Sequence, residues 1–238
     1  QHDRQYYIDR TEAHIYTNSA GQTMPYRLFL PDGYDAEKSY PLVLKLHGAG
    51  ARGDDNLNHL RPWIVGWVDE KFQEEHPCII LIPQCPKGKK WVEQPWKKGI
   101  YSLKNTPITA EMSLAKEIFD KVRCDYAVDP GRIYVAGESM GGYCAWDFAA
   151  RFLDLVAAAV PVCGGGPLEA ADVLQDTPIW VFHGENDPIV AAAAARELVA
   201  AIQEAGGEKV KLTVYPDVAH GSFKLAWLEP EMIEWLFS

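Results

Sequence analysis

The chain alternates short apolar runs, rich in β-branched residues, with longer segments whose apolar positions recur at helical spacing. Six of the runs are strand-like, because each is a nearly continuous apolar stretch that ends at or near Gly or Pro. They are PLVLKLHG, CIILIPQ, GRIYVAG, LVAAAVPVCGG, TPIWVFHG and VKLTVYP. Strands that are apolar on both faces and alternate with helices are typical of a parallel sheet covered on both sides. The pattern therefore predicts an α/β fold.

Helical periodicity occupies the intervals between these runs. We expect helices over Ala110 to Arg123, Met140 to Phe152, Ala191 to Glu204, and a last one ending near Trp235. Near the start, two alternating stretches flank the turn signal Asn18 to Gly21 in AHIYTNSAGQTMPYRLFLP, which predicts an antiparallel hairpin. The sheet is thus expected to be mostly parallel, with an antiparallel N-terminal hairpin and helices on both faces.

Length and composition fit one domain. With 238 residues, of which 47% are apolar, the chain can bury a large core without dividing. We predict that residues 1–238 form a single domain, in which residues 1–40 supply the hairpin to the same sheet.

Charge and hydropathy limit the classes of partner that the protein can bind. The net charge of −10 argues against nucleic acid, since phosphate backbones require a basic footprint. No apolar run approaches the roughly 18 residues that a membrane span requires. We expect a soluble protein that involves neither nucleic acid nor membrane, while the oligomeric state stays open.

The five cysteines and the first residue bear on the cellular compartment. The cysteines are spread without CxxC pairing, which favours mostly free, buried thiols but leaves one disulfide open. The chain begins at Gln1, which is compatible with a removed signal peptide but does not require one. We expect a secreted or periplasmic location of the bacterial type.

The main candidate for a catalytic motif is the segment YVAGESMGGYCAW, in which GxSxG follows a predicted strand and begins a predicted helix. A strand that turns abruptly into a helix leaves no room for a Cβ beside the apex, so glycines flank Ser139. The turn exposes the hydroxyl and directs the N–H of Met140 at a developing oxyanion. We predict that Ser139 is a nucleophile.

A serine hydroxyl needs a base and an orienting acid. Asp187 follows the strand of WVFHGENDPIV, and His220 follows the strand of LTVYPDVAHGSF. In sheets of this kind the site lies beyond the carboxyl ends of the strands, so both side chains are expected to reach Ser139. Glu185 is the alternative acid, and N-capping of a helix before Ile189 is the alternative role of Asp187.

The second oxyanion donor is expected in LKLHGAGARGDDN, where small residues let backbone N–H groups approach a substrate oxygen. We assign it to Ala49, with Gly50 as the alternative. His47 in this loop and His183 in FHG are interpreted as structural side chains that hold their loops.

Substrate selection is assigned to the irregular segment PQCPKGKKWVEQPWKKGIY, because long structureless loops in compact domains are usually functional. Gln84 directly follows a strand, and Trp91 and Trp96 offer large rigid faces for an apolar or sugar ring. The alternative is that both tryptophans simply cap the core.

These motifs resemble a known family, the α/β-hydrolase esterases near feruloyl esterases, polyhydroxybutyrate depolymerase-like proteins and the stand-alone predicted peptidases related to prolyl oligopeptidase catalytic domains. The resemblance covers most of the chain after Pro41. It rests on LHGAGARGDDN, LIPQCPKGKKW, RIYVAGESMGGYCAWDFA, VPVCGGG, PIWVFHGENDPIV and YPDVAHGSF. It implies the α/β-hydrolase fold and a serine hydrolase that forms an acyl-enzyme. Glu138 departs from the Leu, His or Gln common in these relatives.

Three functions remain open at this stage. The first is a carboxylic ester hydrolase for short acyl or hydroxycinnamoyl esters, whose partner is a small-molecule or carbohydrate-linked ester substrate, including esters of plant polysaccharide. The second is a serine peptidase, and the third is a silent binding protein on a hydrolase scaffold. No cofactor and no metal is implied, since the seven histidines form neither HExxH nor a tight cluster with acids.

Overall fold

The computed structural model describes residues 2–238, which fold around one large mixed sheet. The strands are β1 (Glu12–Thr17), β2 (Thr23–Phe29), β3 (Tyr40–Leu46), β4 (Ile79–Pro83), β5 (Ile100–Tyr101), β6 (Val128–Glu138), β7 (Ala158–Val162), β8 (Gly166–Pro167), β9 (Ile179–Gly184) and β10 (Val210–Tyr215). The helices are α1 (Arg4–Arg10), α2 (Pro62–Val65), α3 (Glu70–Glu75), α4 (Ala110–Asp125), α5 (Met140–Arg151), α6 (Ala171–Leu174), α7 (Ala192–Glu204), α8 (Phe223–Ala226) and α9 (Pro230–Phe237). Short 3-10 turns occur at Ala49–Ala51, Gly66–Val68, Leu153–Leu155, Leu168–Ala170 and His220–Ser222.

Eight strands form the main sheet in the order β1-β2-β4-β3-β6-β7-β9-β10. The pairs β1–β2 and β2–β4 are antiparallel, whereas every pair from β4 to β10 is parallel. The predicted fold class is confirmed, and the expected hairpin forms one edge of the same sheet. Because parallel strands end together, the loops after β3, β6, β7, β9 and β10 meet at one edge.

Several elements were not expected from the pattern. Helix α1 begins where the side chain of Asp3 accepts the backbone N–H of Tyr6. Strands β5 and β8 pair over only two residues each, which is too short for any periodicity to register. Strand β6 starts at Val128, earlier than GRIYVAG suggested, because Val128 pairs with Tyr40.

The apolar core divides into two layers, one on each face of the sheet. Along β3 the side chains alternate, so that Leu44 belongs to one layer and Val43 to the other. Lys45 lies on the Val43 face and is 1% exposed. Its ammonium donates to the carbonyls of Trp63 and Ile64 at 3.3 Å. Burial lowers the pKa of Lys45 to about 8.

The buried carboxylate of Asp147 anchors α5, the helix that follows the GxSxG turn. Asp147 is fully buried and accepts hydrogen bonds from the hydroxyl of Tyr101 and from Arg151. Arg151 also donates to the carbonyl of Thr106. This network joins α5 to β5 and to the segment that leads into α4.

Two sequence expectations can be compared with the described residues. All five cysteines are free; Cys124 is exposed, and the others are buried. Between residues 2 and 238, none of the helices combines the length and apolar character needed to cross a bilayer.

We expect Asp147→Ala to lower the free energy of unfolding by about 3–5 kcal/mol, because it removes one partner of a buried ion pair. Urea denaturation followed by circular dichroism measures the loss. The matched control is Asp125→Ala at the end of α4, whose partner Lys121 is half exposed; there we expect a loss below about 1 kcal/mol. Equal losses in the two variants would contradict the anchoring role of Asp147.

Candidate active site

Ser139 lies at the tip of a strained turn between β6 and α5. Its φ is +56° and its ψ is −117°, a conformation that residues with a Cβ rarely adopt. The flanking glycines are required by contact: a Cβ on Gly141 would lie 1.9 Å from the carbonyl oxygen of Leu46, and one on Gly137 would lie 2.2 Å from the oxygen of Gly141. The crowding expected from the sequence is therefore present.

The structure brings Ser139, His220 and Asp187 into one hydrogen-bonded row. Ser139 Oγ lies 2.6 Å from His220 Nε2, and His220 Nδ1 lies 2.7 Å from Asp187 Oδ2. An ionised carboxylate can only accept a hydrogen bond, so Nδ1 carries the proton and Nε2 is free to accept from the serine. This arrangement can remove a proton from Ser139.

Asp187 faces His220 and also closes a local turn, but it does not cap a helix, because α7 begins at Ala192 with Ala191 as its N-cap. While Oδ2 faces His220, Oδ1 accepts the backbone N–H groups of Ile189 and Val190 at 2.9 and 3.0 Å. Burial alone would raise the pKa of Asp187, but the hydrogen bonds from His220, Val190 and Ile189 hold it below its ordinary value. Glu185 instead pairs with Arg196 at the surface.

The two loop histidines are fully buried. His47 donates from Nδ1 to the carbonyl of Gly48 at 2.7 Å and accepts the N–H of Cys85 at Nε2. Burial lowers the pKa of His47 to about 4, which keeps the ring neutral. His183 Nε2 donates to the carbonyl of Val190 at 2.7 Å and so braces the loop that carries Asp187.

The predicted oxyanion donors lie on both sides of Ser139. The register of β3 on β6 pairs Leu46 with Gly137, so the loop after β3 runs alongside the serine turn. A Cβ on Gly48 would lie 3.5 Å from the Cβ of Ser139. Neither the N–H of Ala49 nor that of Met140 has a hydrogen-bond partner within residues 2–238. Both donors are therefore available to a bound oxygen.

Gln84 and Trp91 have no exposed surface, so the structure does not support direct contact with substrate. Gln84 accepts the N–H of Asn56 and donates to Ala51 and Asp55, which ties down the loop after β3. Trp91 Nε1 donates to the carbonyl of His47 at 3.2 Å. The alternative that Trp91 belongs to the core agrees with this placement.

Trp96 is the one member of the predicted substrate set that stays partly exposed. The guanidinium of Arg52 lies 5.7 Å from its ring centroid, and Arg52 Nε also donates to the carbonyl of Ala49. The hydroxyl of Tyr143, in the first turns of α5, donates to the carbonyl of Trp96 at 2.6 Å. Trp96 therefore lies between the loop of Ala49 and the helix that follows Ser139.

Cys163 is a neighbour of this row that sequence reasoning did not assign to the site. It follows β7 with a φ of +42°, and its sulfur can come within 4.8 Å of ligand atoms of Asp187 and His220. Among residues 2–238, these three side chains form a group whose ligand atoms are close enough together to hold a metal ion. Burial, with the nearby Glu138 carboxyl second, raises the pKa of the Cys163 thiol well above its ordinary value. Cys163 directly follows a central strand, and this position could have identified it from the sequence as a residue near the site.

Glu138 is 2% exposed, and neither carboxyl oxygen has a hydrogen-bond partner among the described residues. Burial raises the pKa of Glu138 to about 8, and the charge of Lys45 opposes the shift. This carboxyl therefore loses its proton less readily than an exposed glutamate does.

Known proteins resemble this chain over the region that contains most of the candidate site residues. The family model described as the dienelactone hydrolase family matches residues 93–226, a range that contains Ser139, Asp187 and His220. A crystal structure of a thermostable esterase superposes with a TM-score of 0.88 and 37% identity, over 97% of this chain and 63% of that one.

Two curated relatives are more distant. A bifunctional acetylxylan esterase/xylanase of Neocallimastix patriciarum is 28% identical over 63% of this chain and 20% of its own length. A probable feruloyl esterase C of Aspergillus terreus is 25% identical over 69% of this chain and 55% of its own length. The chain thus spans between a fifth and about half of these relatives. Because the family match extends over more than half of the chain and includes the Ser139 turn, the protein belongs to the dienelactone hydrolase family.

Proposed function

We propose that this protein is a serine-dependent carboxylic ester hydrolase that acts through an acyl-enzyme on short acyl or hydroxycinnamoyl esters. The observation that carries the proposal is the row from Ser139 Oγ through His220 to Asp187, with links of 2.6 and 2.7 Å. Such a row turns a weakly nucleophilic hydroxyl into one that can attack an ester carbonyl.

In the first half-reaction, Ser139 Oγ attacks the carbonyl carbon while its proton passes to His220 Nε2. The carbonyl oxygen becomes an oxyanion that accepts the free N–H groups of Ala49 and Met140. When the tetrahedral intermediate collapses, its bond to the alcohol oxygen breaks and His220 returns the proton to that oxygen. Asp187 stabilises the imidazolium throughout.

In the second half-reaction, a water molecule attacks the acyl carbon and gives its proton to His220 Nε2. The bond between the acyl carbon and Ser139 Oγ then breaks, and the proton returns to the serine. The carboxylic acid leaves, and the free enzyme is restored.

Ser139 is preferred to Cys163 as the nucleophile for two reasons. First, only the thiolate form of cysteine is nucleophilic, and burial keeps the pKa of Cys163 well above its ordinary value. Second, His220 Nε2 faces the serine, while its Nδ1 is engaged by Asp187. The base of the row is therefore directed at Ser139.

Two observations support the proposed acyl groups. The relatives named above include a feruloyl esterase and an acetylxylan esterase. The ring of Trp96 is partly exposed beside the loop of Ala49, and an aromatic acyl group could pack against the part of it that Arg52 and Lys90 leave uncovered. Esters carried on plant polysaccharide would present both kinds of acid, so we propose them as the natural substrate class.

Ser139→Ala should reduce kcat on p-nitrophenyl acetate by about 10⁴-fold or more, because the attacking atom is removed. Cys163→Ala is the matched control, and we expect it to keep most of the turnover. A fluorophosphonate probe, read by intact-mass spectrometry, should label the wild type and Cys163→Ala but not Ser139→Ala. Labelling or activity that survives in Ser139→Ala and disappears in Cys163→Ala would refute the serine assignment.

Asp187→Asn should lower kcat by about 10⁴-fold with little change in KM, because the amide no longer holds the imidazole in the required tautomer. Glu185→Gln changes the nearest alternative acid in the same way, and its kcat should stay at the wild-type value. Steady-state kinetics on one ester compare the two variants. Comparable losses in both would contradict the assignment of Asp187.

Trp96→Ala should reduce kcat/KM on methyl ferulate by roughly tenfold, the magnitude expected from a lost aromatic contact. The same variant should hydrolyse p-nitrophenyl acetate at the wild-type rate, because acetate does not reach the ring.

The wild type should also prefer methyl ferulate over the matched anilide. Faster cleavage of the anilide would replace the esterase proposal with a peptidase one.

A further inference from the structure

A buried tyrosine joins the strained turn at Ser139 to the segment that carries Trp96. Tyr143 lies one turn into α5 and is 2% exposed. Its backbone N–H donates to the carbonyl of Ser139 at 3.1 Å. Its hydroxyl donates to the carbonyl of Trp96 at 2.6 Å and accepts the N–H of Gly99 at 3.1 Å. One residue therefore contacts both the backbone of the proposed nucleophile and the loop beside the site.

The hydroxyl of Tyr143 is in the form that both hydrogen bonds require. Burial raises the pKa of Tyr143 to about 12, so the group keeps its proton at neutral pH. A protonated phenol can donate one hydrogen bond and accept another. Gly99 is buried, and a buried backbone N–H without a partner is costly. Removal of the hydroxyl would therefore release two points of one short segment, the carbonyl of Trp96 and the N–H of Gly99.

The segment from Trp96 to Gly99 is a turn that is exposed at its tip. The N–H of Lys98 closes the turn by donating to the carbonyl of Pro95 at 3.3 Å. Gly99 is the fixed end, because its φ is +73° and a Cβ there would lie 2.4 Å from the Cβ of Ala194. The tyrosine hydroxyl thus holds the turn from inside the protein, next to its fixed end.

The side-chain contacts of Trp96 constrain its ring less than this backbone anchor does. The guanidinium of Arg52 lies 5.7 Å from the ring centroid, and the ammonium of Lys90 lies 4.9 Å from it. Both cations are partly exposed, and contacts of exposed cations with an aromatic ring are weak. The indole Nε1 has no hydrogen-bond partner among the described residues. The position of the ring therefore depends mainly on the carbonyl that Tyr143 holds.

We propose that Tyr143 is a positioning residue that holds the Trp96 ring at a fixed place relative to Ser139 and so determines the preference for aromatic over short acyl groups. The inference rests on the proposed function, because it concerns substrate selection at the same site. Tyr143 acts through Trp96 and takes no part in proton transfer. A merely structural role would instead slow the hydrolysis of all esters equally.

The test is a double-mutant cycle between Tyr143→Phe and Trp96→Ala, read by steady-state kinetics on two esters. Tyr143→Phe alone should lower kcat/KM on methyl ferulate by about tenfold, because the turn loses two hydrogen bonds, and should change kcat/KM on p-nitrophenyl acetate by less than about twofold. In the Trp96→Ala background the same substitution should change neither value by more than about twofold, since the ring through which Tyr143 acts is absent. Additive losses in the double variant would overturn the proposal, and so would equal losses on the two esters.

The matched control is Tyr101→Phe, which removes another buried tyrosine hydroxyl that is bonded to α5, the one that donates to Asp147. It should lower the urea midpoint of unfolding but leave the ratio of the two kcat/KM values at the wild-type level. If Tyr101→Phe shifts this ratio as far as Tyr143→Phe does, the effect is structural and the proposal is wrong.

Hydrogen exchange of the Gly99 amide, followed by NMR, is a second measurement that requires no turnover. Exchange should be at least about tenfold faster in Tyr143→Phe than in the wild type and unchanged in Tyr101→Phe, because only the first variant removes the acceptor of this N–H. Unchanged exchange in Tyr143→Phe would overturn the positioning role. If the wild type hydrolyses no ester while Gly99 responds as expected, the proposed function fails and the positioning of Trp96 is supported, so the two failures are distinguishable.

Discussion

The structure depends on one backbone contact, between the first turn of α5 and the end of β3. Gly141 approaches the carbonyl of Leu46 so closely that a Cβ would lie 1.9 Å from its oxygen. At this separation the helix can begin directly after β6, and the connecting residue, Ser139, is forced to a positive φ. The strain is maintained because the sheet, the helix and the loop after β3 all press on the same point. The proposed nucleophile and one proposed oxyanion donor, the N–H of Met140, are thereby fixed together.

The loop after β3 has no regular structure of its own beyond one short turn, so buried side chains hold it in place. Gln84 forms hydrogen bonds with Asn56 and Ala51 of the loop. The ring of His47 accepts the N–H of Cys85, and the indole of Trp91 donates to the carbonyl of His47. Each of these groups is fully buried and paired, which makes displacement of the loop costly. Gln84 and Trp91, which the sequence analysis assigned to substrate contact, therefore hold the loop that carries Ala49, the second proposed oxyanion donor.

Periodicity predicted the long elements well, because α4, α5 and α7 each bury one continuous apolar stripe. It failed for β5 and β8, whose pairing depends on two residues and on tertiary contact alone. In the site, chain order and strand ends were enough to bring together Ser139, Asp187 and His220. Exposure was harder to predict, since nothing local distinguishes the buried Trp91 from the partly exposed Trp96. The proximity of Cys163 depends on the pairing of β7 with β6 and β9, which the sequence alone does not specify.

Glu138 raises the question of how a carboxyl can be buried beside the proposed nucleophile without a hydrogen bond. An ionised form would be costly there, and burial accordingly raises its pKa to about 8. The nearby ammonium of Lys45 is satisfied by two carbonyls and lies 4.0 Å from the ring centroid of Trp227, so it does not require Glu138 to ionise. Burial thus disfavours the ionised form of Glu138, while the hydrogen bonds from His220, Val190 and Ile189 favour the ionised form of Asp187. The pKa values of the two acids are therefore shifted in opposite directions, and Asp187 is the carboxylate that is hydrogen-bonded to His220.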